Sequence, residues 1–312
     1  MRRAGGEAAD VIAPVILSAS RATDIPAFYA DWFMNRMRAG FFRWRNPFNP
    51  AQVQTVSTAN VRVLVFWSKH PAGLWPHLDE LDRRGFHTYF QYTLNDYEAE
   101  GVEPNLPPLR DRIGLFLRLS ERLGPERVVW RMDPLLLTDG LGVPEWLERA
   151  EQLSARLAKH ARKLVFSFAD IEAYPAVKRH LARVGTVVRE FTRGEMEEFA
   201  RGLAEINRAH GLELATCAEE VDLSAFGIAH NRCVDGERLA RLWPEDGALM
   251  EFLGSRAARK DQGQRKACGC IASKDIGRYR TCPHACAYCY ANGSRAEADR
   301  NFRAHRPEAE SL

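Results

Sequence analysis

No apolar run in this 312-residue chain approaches the length of a membrane-spanning helix, which argues against a helical membrane protein. Lysine is scarce, with 7 residues against 37 arginines, and the net charge is only +3. Charge alone therefore gives no reason to expect a nucleic-acid partner, and the arginine bias reflects genome composition more than function. The first 216 residues contain no cysteine, and all seven follow. An odd number in C-x-C and C-x3-C-x2-C spacings speaks for metal rather than disulfides. No internal repeat or low-complexity block is present, which excludes a solenoid. The opening Met1-Arg2-Arg3 followed by apolar residues 11–17 faintly mimics a signal peptide, but Asp10 and Pro14 interrupt it. The protein reads as cytoplasmic, with residues 1–12 disordered.

The 46% hydrophobic content supplies a core for one large α/β domain. Short apolar segments at 15–20, 41–46, 61–68, 88–93, 128–133, 164–170 and 212–219 are rich in β-branched and aromatic residues and end in polar ones. Residues 184–190 are a further strand candidate. Helical patterns fill 25–39, 110–123, 146–160 and 195–210, and a last one is expected at 294–305. The alternation predicts a parallel sheet, and the number of units predicts a (β/α) TIM-type barrel, complete or nearly so. A doubly wound open sheet is the alternative. The barrel is expected over 13–253. A cysteine-rich C-terminal module over 254–312 is expected to pack on its mouth.

In such a barrel, chemistry gathers where strands end. The polar residues there include Ser20, Arg21 and Asp24; Arg45 and Asn46; Ser68 and Lys69; Gln91 and Thr93; Arg131 and Asp133; Ser167 and Asp170; and Cys217 and Glu219. Arg21, Asp24, Lys69, Arg131 and Asp133 are the candidates for substrate or cofactor contacts. A pair such as Arg131 and Asp133 also reads as a structural ion pair.

The tail carries Cys282-Pro283-His284-Ala285-Cys286-Ala287-Tyr288-Cys289. Three thiolates at this spacing can hold three corners of a four-iron cluster and leave one iron open to an outside ligand. A zinc knuckle is the bland alternative, although His284 is poorly placed as a fourth ligand. The remaining Cys217, Cys233, Cys268 and Cys270 are enough to close a second [4Fe–4S] or a zinc site. Alternatively, Cys217 or Cys233 is simply a buried small side chain.

The cysteine string resembles the signature of the radical S-adenosylmethionine (SAM) superfamily. Cys289-Tyr290-Ala291 is similar to its spore photoproduct lyase-like branch. The resemblance implies that Cys282, Cys286 and Cys289 bind a [4Fe–4S] cluster whose open iron takes SAM, with Tyr288 near the adenine. It further implies reductive SAM cleavage, hydrogen abstraction from an unknown substrate, and an electron donor such as flavodoxin or ferredoxin. Nucleic acid is one substrate class the branch suggests. In typical superfamily members these cysteines follow the first barrel strand. Their late position here implies a permuted barrel, with 271–280 as the equivalent strand. Gly5-Gly6-Glu7 has the letters of a SAM-amine motif but lies in the expected disordered start.

A second resemblance spans about residues 15–293. Ser18-Ala19-Ser20-Arg21-Ala22-Thr23-Asp24-Ile25-Pro26, Arg45-Asn46-Pro47-Phe48, Phe66-Trp67-Ser68-Lys69-His70-Pro71, Trp130-Arg131-Met132-Asp133-Pro134 and the cysteine-rich tail resemble the uncharacterised bacterial domain-of-unknown-function family 1848. That family implies no reaction. Two other function classes remain open: an iron–sulfur electron-transfer or redox protein without catalysis, and a zinc-stabilised nucleic-acid-binding protein. The latter would use the basic stretch of Arg256, Arg259, Lys260, Arg265, Lys266, Lys274, Arg278 and Arg280, with Tyr279 and Tyr290 for stacking.

Overall fold

The computed structural model describes residues 10–312 apart from Phe48 and Pro50. Its centre is an eight-stranded, all-parallel sheet. The strands are β1 (Ile16–Ala19), β2 (Val63–Ser68), β3 (His87–Thr93), β4 (Val128–Leu135), β5 (Lys163–Phe168), β6 (Glu213–Thr216), β7 (Ala229–His230) and β8 (Lys274–Asp275). Their order is β7-β6-β5-β4-β3-β2-β1-β8, so seven strands lie in chain order and the tail supplies the eighth beside the first. Leu17 and Ser18 pair with Lys274 and Asp275 there. The cysteine-bearing tail thus contributes to the main sheet rather than standing apart from it. Only two residues of the expected 271–280 strand pair. The sheet's edges are β7 and β8, and closure into a complete barrel is not seen.

Period-2 alternation gives each strand two faces. One face carries Leu17, Leu64, Phe66, Phe90, Trp130 and Phe166 into the large core beneath the helices. The other starts apolar, with Ile16, Val65, Tyr89, Val129 and Val165 in a smaller cluster that includes Cys233 and Cys270. Two residues further along, that second face turns polar, at Ser18, Trp67, Gln91, Arg131 and Ser167. A strand buried on both faces reads as a near-continuous apolar run. These runs become amphipathic only where the site begins.

The crossovers include α4 (Leu109–Leu123), α5 (Val143–Leu157) and α7 (Arg193–Asn207), at the expected places. The first of these buries Ile113, Phe116 and Leu119 and stops at Gly124, whose φ of 88° suits glycine. Each such side chain contributes about 1.5–3 kcal/mol on burial.

Four expectations need correction. The segment 25–39 forms two helices, α1 (Ile25–Phe28) and α2 (Ala30–Ala39), because Tyr29 leaves helical geometry at φ −130° while its hydroxyl donates to Thr281 O at 2.5 Å. Phe41–Arg45 is no strand of the main sheet. It pairs antiparallel with Val53–Ser57, a partner too close in sequence for the long crossover that a parallel pair needs. Val188–Arg189 pairs antiparallel with Leu137–Thr138, also outside the main sheet. Residues 10–12 are a strand beside Val53–Ser57 rather than disordered, while 1–9, including Gly5-Gly6-Glu7, lie outside the described residues. Among the described residues no helix is long and apolar enough to cross a membrane.

Two predictions follow from local geometry. A Cβ on Gly277 would lie 1.8 Å from Ser20 Oγ, at the seam between β1 and β8. Gly277→Ala should cost about 1–3 kcal/mol, read as a lowered denaturation midpoint; an unchanged midpoint would refute the close packing of that seam. At the start of α7, the hydrogen bond from Arg189 and the capping box with Thr192 hold the Glu195 carboxyl down to about 2. Its folded value lies below the ordinary 4.5, so its stabilisation is complete above 4.5 and fades as pH falls toward 2. The stability gap between wild type and Glu195→Gln should narrow over that window, and a gap independent of pH would disprove the assignment.

Candidate metal and cofactor site

The polar ends of the strands and the cysteine tail enclose one cavity of about 480 Å³. It is lined by Arg21, Asp24, Lys69, Arg131 and Asp133, by Tyr288, and by all seven cysteines. Arg45 and Asn46 do not line it, because their strand belongs to the separate antiparallel pair. Asp170 sits on the rim, where Arg265 Nη1 approaches its Oδ2 at 2.7 Å.

Asp24 is the N-cap of α1, in an Asp-Ile-Pro start that favours helix initiation. Its Oδ1 accepts from Ala27 N at 3.0 Å. Its Oδ2 accepts from Lys69 N at 2.8 Å and lies 2.8 Å from His284 Nε2. Burial opposes the charge of Asp24, but the hydrogen bond with His284 and those from Lys69 N and Ser68 win, and its pKa is lowered. Asp24 is therefore a bracket joining α1, the end of β2 and the cysteine loop, rather than a free acid or base. His284 is turned toward this carboxylate, and its Nδ1 is buried with no hydrogen-bond partner among the described residues.

Lys69 Nζ lies 2.7 Å from Glu103 Oε1, and burial of the ammonium is outweighed by that carboxylate, so its pKa is raised. The same Glu103 oxygen accepts from the Tyr288 hydroxyl. The Tyr288 ring stands 5.4 Å from Lys69 Nζ and 5.6 Å from the Tyr97 ring. Sequence reasoning missed Glu103. It sits in the irregular stretch between β3 and α4, where no periodicity marks it.

Arg131 donates from Nη1 to Gln91 Oε1 at 3.0 Å and to Cys233 Sγ at 2.9 Å, and from Nη2 to Asp133. Burial works against its charge, but Cys233 and Asp133 outweigh it and its pKa is raised. Asp133 also accepts from Ser167, and its backbone N–H donates to Asn95 Oδ1 at 2.8 Å. Arg21 and Arg131 both face the ring of Trp67, at 4.7 and 5.3 Å from its centroid. Glu219 accepts from Phe168 N at 2.9 Å, and burial pushes its carboxyl up to about 8.

The seven thiols fall into two groups. Cys282, Cys286 and Cys289 sit in the loop after β8, fastened by Asn105 Nδ2 to Pro283 O at 2.7 Å and by Ala287 N to Val102 O at 2.8 Å. Ala285, between the first two cysteines, has φ 57°, an uncommon value for a residue with a Cβ. Backbone N–H groups of Asp24 and His284 point at Cys282, and those of Ala291 and Asn292 at Cys289. Burial pushes Cys282 up to about 12 and raises Cys286 and Cys289 as well. Without a bound cation these thiols keep their protons; a coordinating metal removes them. Cys289 N donates to Cys286 O at 3.1 Å, but no hydrogen bond joins the sulfurs of the three, whereas Cys217 Sγ and Cys233 Sγ lie 3.5 Å apart. Among the described residues no three such side chains gather tightly enough for a single ion. In a cluster with three protein ligands each thiolate would bind a different iron. The donor set, the N–H groups aimed at sulfur and the cavity beside it fit a cluster with three protein ligands. Asp24 engages the Nε2 of His284 and leaves its Nδ1 without a partner among the described residues.

Removing the bracket tests this arrangement. Asp24→Ala removes the acceptor of the half-buried N–H groups of Ala27 and Lys69, at up to about 1–3 kcal/mol for each unsatisfied donor. Amide exchange in residues 282–289 should quicken in the variant; unaltered protection there would show that the loop is positioned by something else.

No curated protein matches the chain. A family model described as Domain of unknown function (DUF1848) matches residues 16–291, from β1 through the cysteine loop. The chain belongs to that family.

Proposed function

We propose that this protein is an iron–sulfur enzyme of the radical SAM type, with Cys282, Cys286 and Cys289 as cluster ligands. The carrying observation is a three-cysteine loop facing a polar cavity at the ends of parallel strands. When bound, cluster and SAM would supply reductive cleavage of SAM and a carbon radical that abstracts hydrogen from a substrate. The reading also takes the sheet as a permuted (β/α) barrel opened between β7 and β8, which the sequential strand order supports.

The chain's own residues have definable tasks. Asp24 fixes the His284 ring through its Nε2 and ties the cysteine loop to the end of β2. Glu103 anchors the Tyr288 hydroxyl, which fixes the ring as a wall for a flat group such as adenine. Lys69 offers a buried positive charge beside that wall. Arg131 and Asp133 form a paired, polar floor that suits a zwitterionic ligand or a polar substrate. The enclosure limits water, which protects a radical from quenching. Electrons must come from outside, from a donor such as a flavodoxin or ferredoxin.

The test is anaerobic reconstitution followed by SAM addition under reducing conditions. The expected result is a change in the cluster's paramagnetic spectrum together with 5′-deoxyadenosine. Cys286→Ala should abolish both. An intact cluster indifferent to SAM would refute the SAM reading and favour electron transfer without catalysis.

A further inference from the structure

The four remaining cysteines are spread over 54 positions of sequence yet meet in space. Cys217 follows β6, Cys233 follows β7, and Cys268 and Cys270 enter from the tail. Cys217 Sγ is 3.5 Å from Cys233 Sγ. Cys270 is held next to Cys233 by the N–H of Val234, which donates to its Sγ at 3.4 Å, and Cys268 lines the same cavity. Glycine between the last two is required, since a Cβ on Gly269 would come within 2.9 Å of Arg232 Cγ.

The groups around these sulfurs are donors. Arg131 Nη1 reaches Cys233 Sγ at 2.9 Å, Asn231 Nδ2 reaches the same sulfur at 3.0 Å, and Val234 N reaches Cys270 Sγ at 3.4 Å. Arg21 lies within electrostatic reach of Cys233 and Cys270, and its Nη2 is buried with no hydrogen-bond partner among the described residues. A neutral thiol in an apolar core needs no such set of donors. N–H donors and guanidinium groups favour thiolates, and hydrogen bonds to sulfur are a normal part of iron–sulfur ligation. A metal bound by these sulfurs would displace the thiol protons and take up the charge that the donors favour.

The geometry points to a second iron–sulfur centre, closed by Cys217, Cys233, Cys268 and Cys270. Cys217 and Cys233 are in contact, Cys270 stands beside Cys233, and all four line one cavity. A centre with more than one iron, each held by its own cysteines, would draw on all four. With all ligands supplied by the protein, this centre has no position for SAM or substrate. The proposal does not depend on what the Cys282–Cys286–Cys289 loop binds.

The test uses the full chain, reconstituted anaerobically with ferrous iron and sulfide. Cys282→Ser/Cys286→Ser/Cys289→Ser should retain iron and acid-labile sulfide in equal amounts, at about two to four of each per chain. Adding Cys268→Ser/Cys270→Ser should remove them. Should the triple variant not fold, the wild type is read against Cys268→Ser/Cys270→Ser alone. The iron content of the variant should then be lower by about two to four per chain. The proposal is overturned if the folded triple variant binds no iron, or takes up one zinc without sulfide. It is equally overturned if Cys217 and Cys233 are found as a disulfide without metal, or if the Cys268/Cys270 change leaves the iron count as it was.

Discussion

One carboxylate decides where the tail goes. Asp275 accepts from Ser18 Oγ at 2.8 Å, Ser20 Oγ at 2.7 Å, Arg21 N at 2.8 Å and Gly277 N at 2.9 Å. Three of those donors lie at the end of the first strand, more than 250 positions away in sequence. A charge-assisted hydrogen bond is stronger than a neutral one, so this cluster compensates for a strand that pairs over only two residues. Everything after it inherits its placement. The cysteine loop follows within seven residues, and α10 (Arg295–Ala304) then docks Phe302 against Phe28 and Tyr29.

Much of the sheet was legible because its strands follow a simple rule. An apolar run ending in polar residues, repeated between helical segments, gives parallel strands with their polar ends together. Arg21, Asp24, Lys69, Arg131 and Asp133 reach one cavity for that reason. What failed were places where tertiary contacts override the local pattern. The helix at 25–39 breaks because Tyr29 serves the distant Thr281 carbonyl. The run at 41–46 has strand chemistry but too short a connection for the main sheet. Asp24 was expected at the site but not as a bracket, although Asp-Ile-Pro is a recognisable helix start. Glu103 had no signal, since it lies in irregular chain and acts through Tyr288, which is distant in sequence.

Charge at the cavity is arranged by pairing rather than by accumulation. Lys69 answers Glu103, Arg131 answers Asp133, Arg21 answers Asp275, and His284 answers Asp24. A buried ion pair contributes little net stability, because desolvation offsets the attraction. Breaking one is costly, since the surviving charge has no water to turn to. Such pairs are therefore poor as glue and good as fixtures: they hold side chains at set positions and penalise displacement. The cavity needs fixtures more than glue, as the strand core already supplies the apolar burial.

If the tail cysteines hold the proposed metal, tail docking and metal binding become linked. Loop-closure entropy rises only slowly with length, so a seam spanning most of the chain is little dearer than one across a single crossover. What the seam lacks is area, as β8 is two residues long. The inner face of the sheet ends in Cys233 and Cys270, one from beyond β7 and one from the tail. A ligand held by both stabilises the docked state alone, because the undocked chain does not bring those sulfurs together. Metal occupancy would thus raise the stability of the β7 edge and of the tail in the same step. The cysteines that close the mouth are then part of the fold as well as of its chemistry.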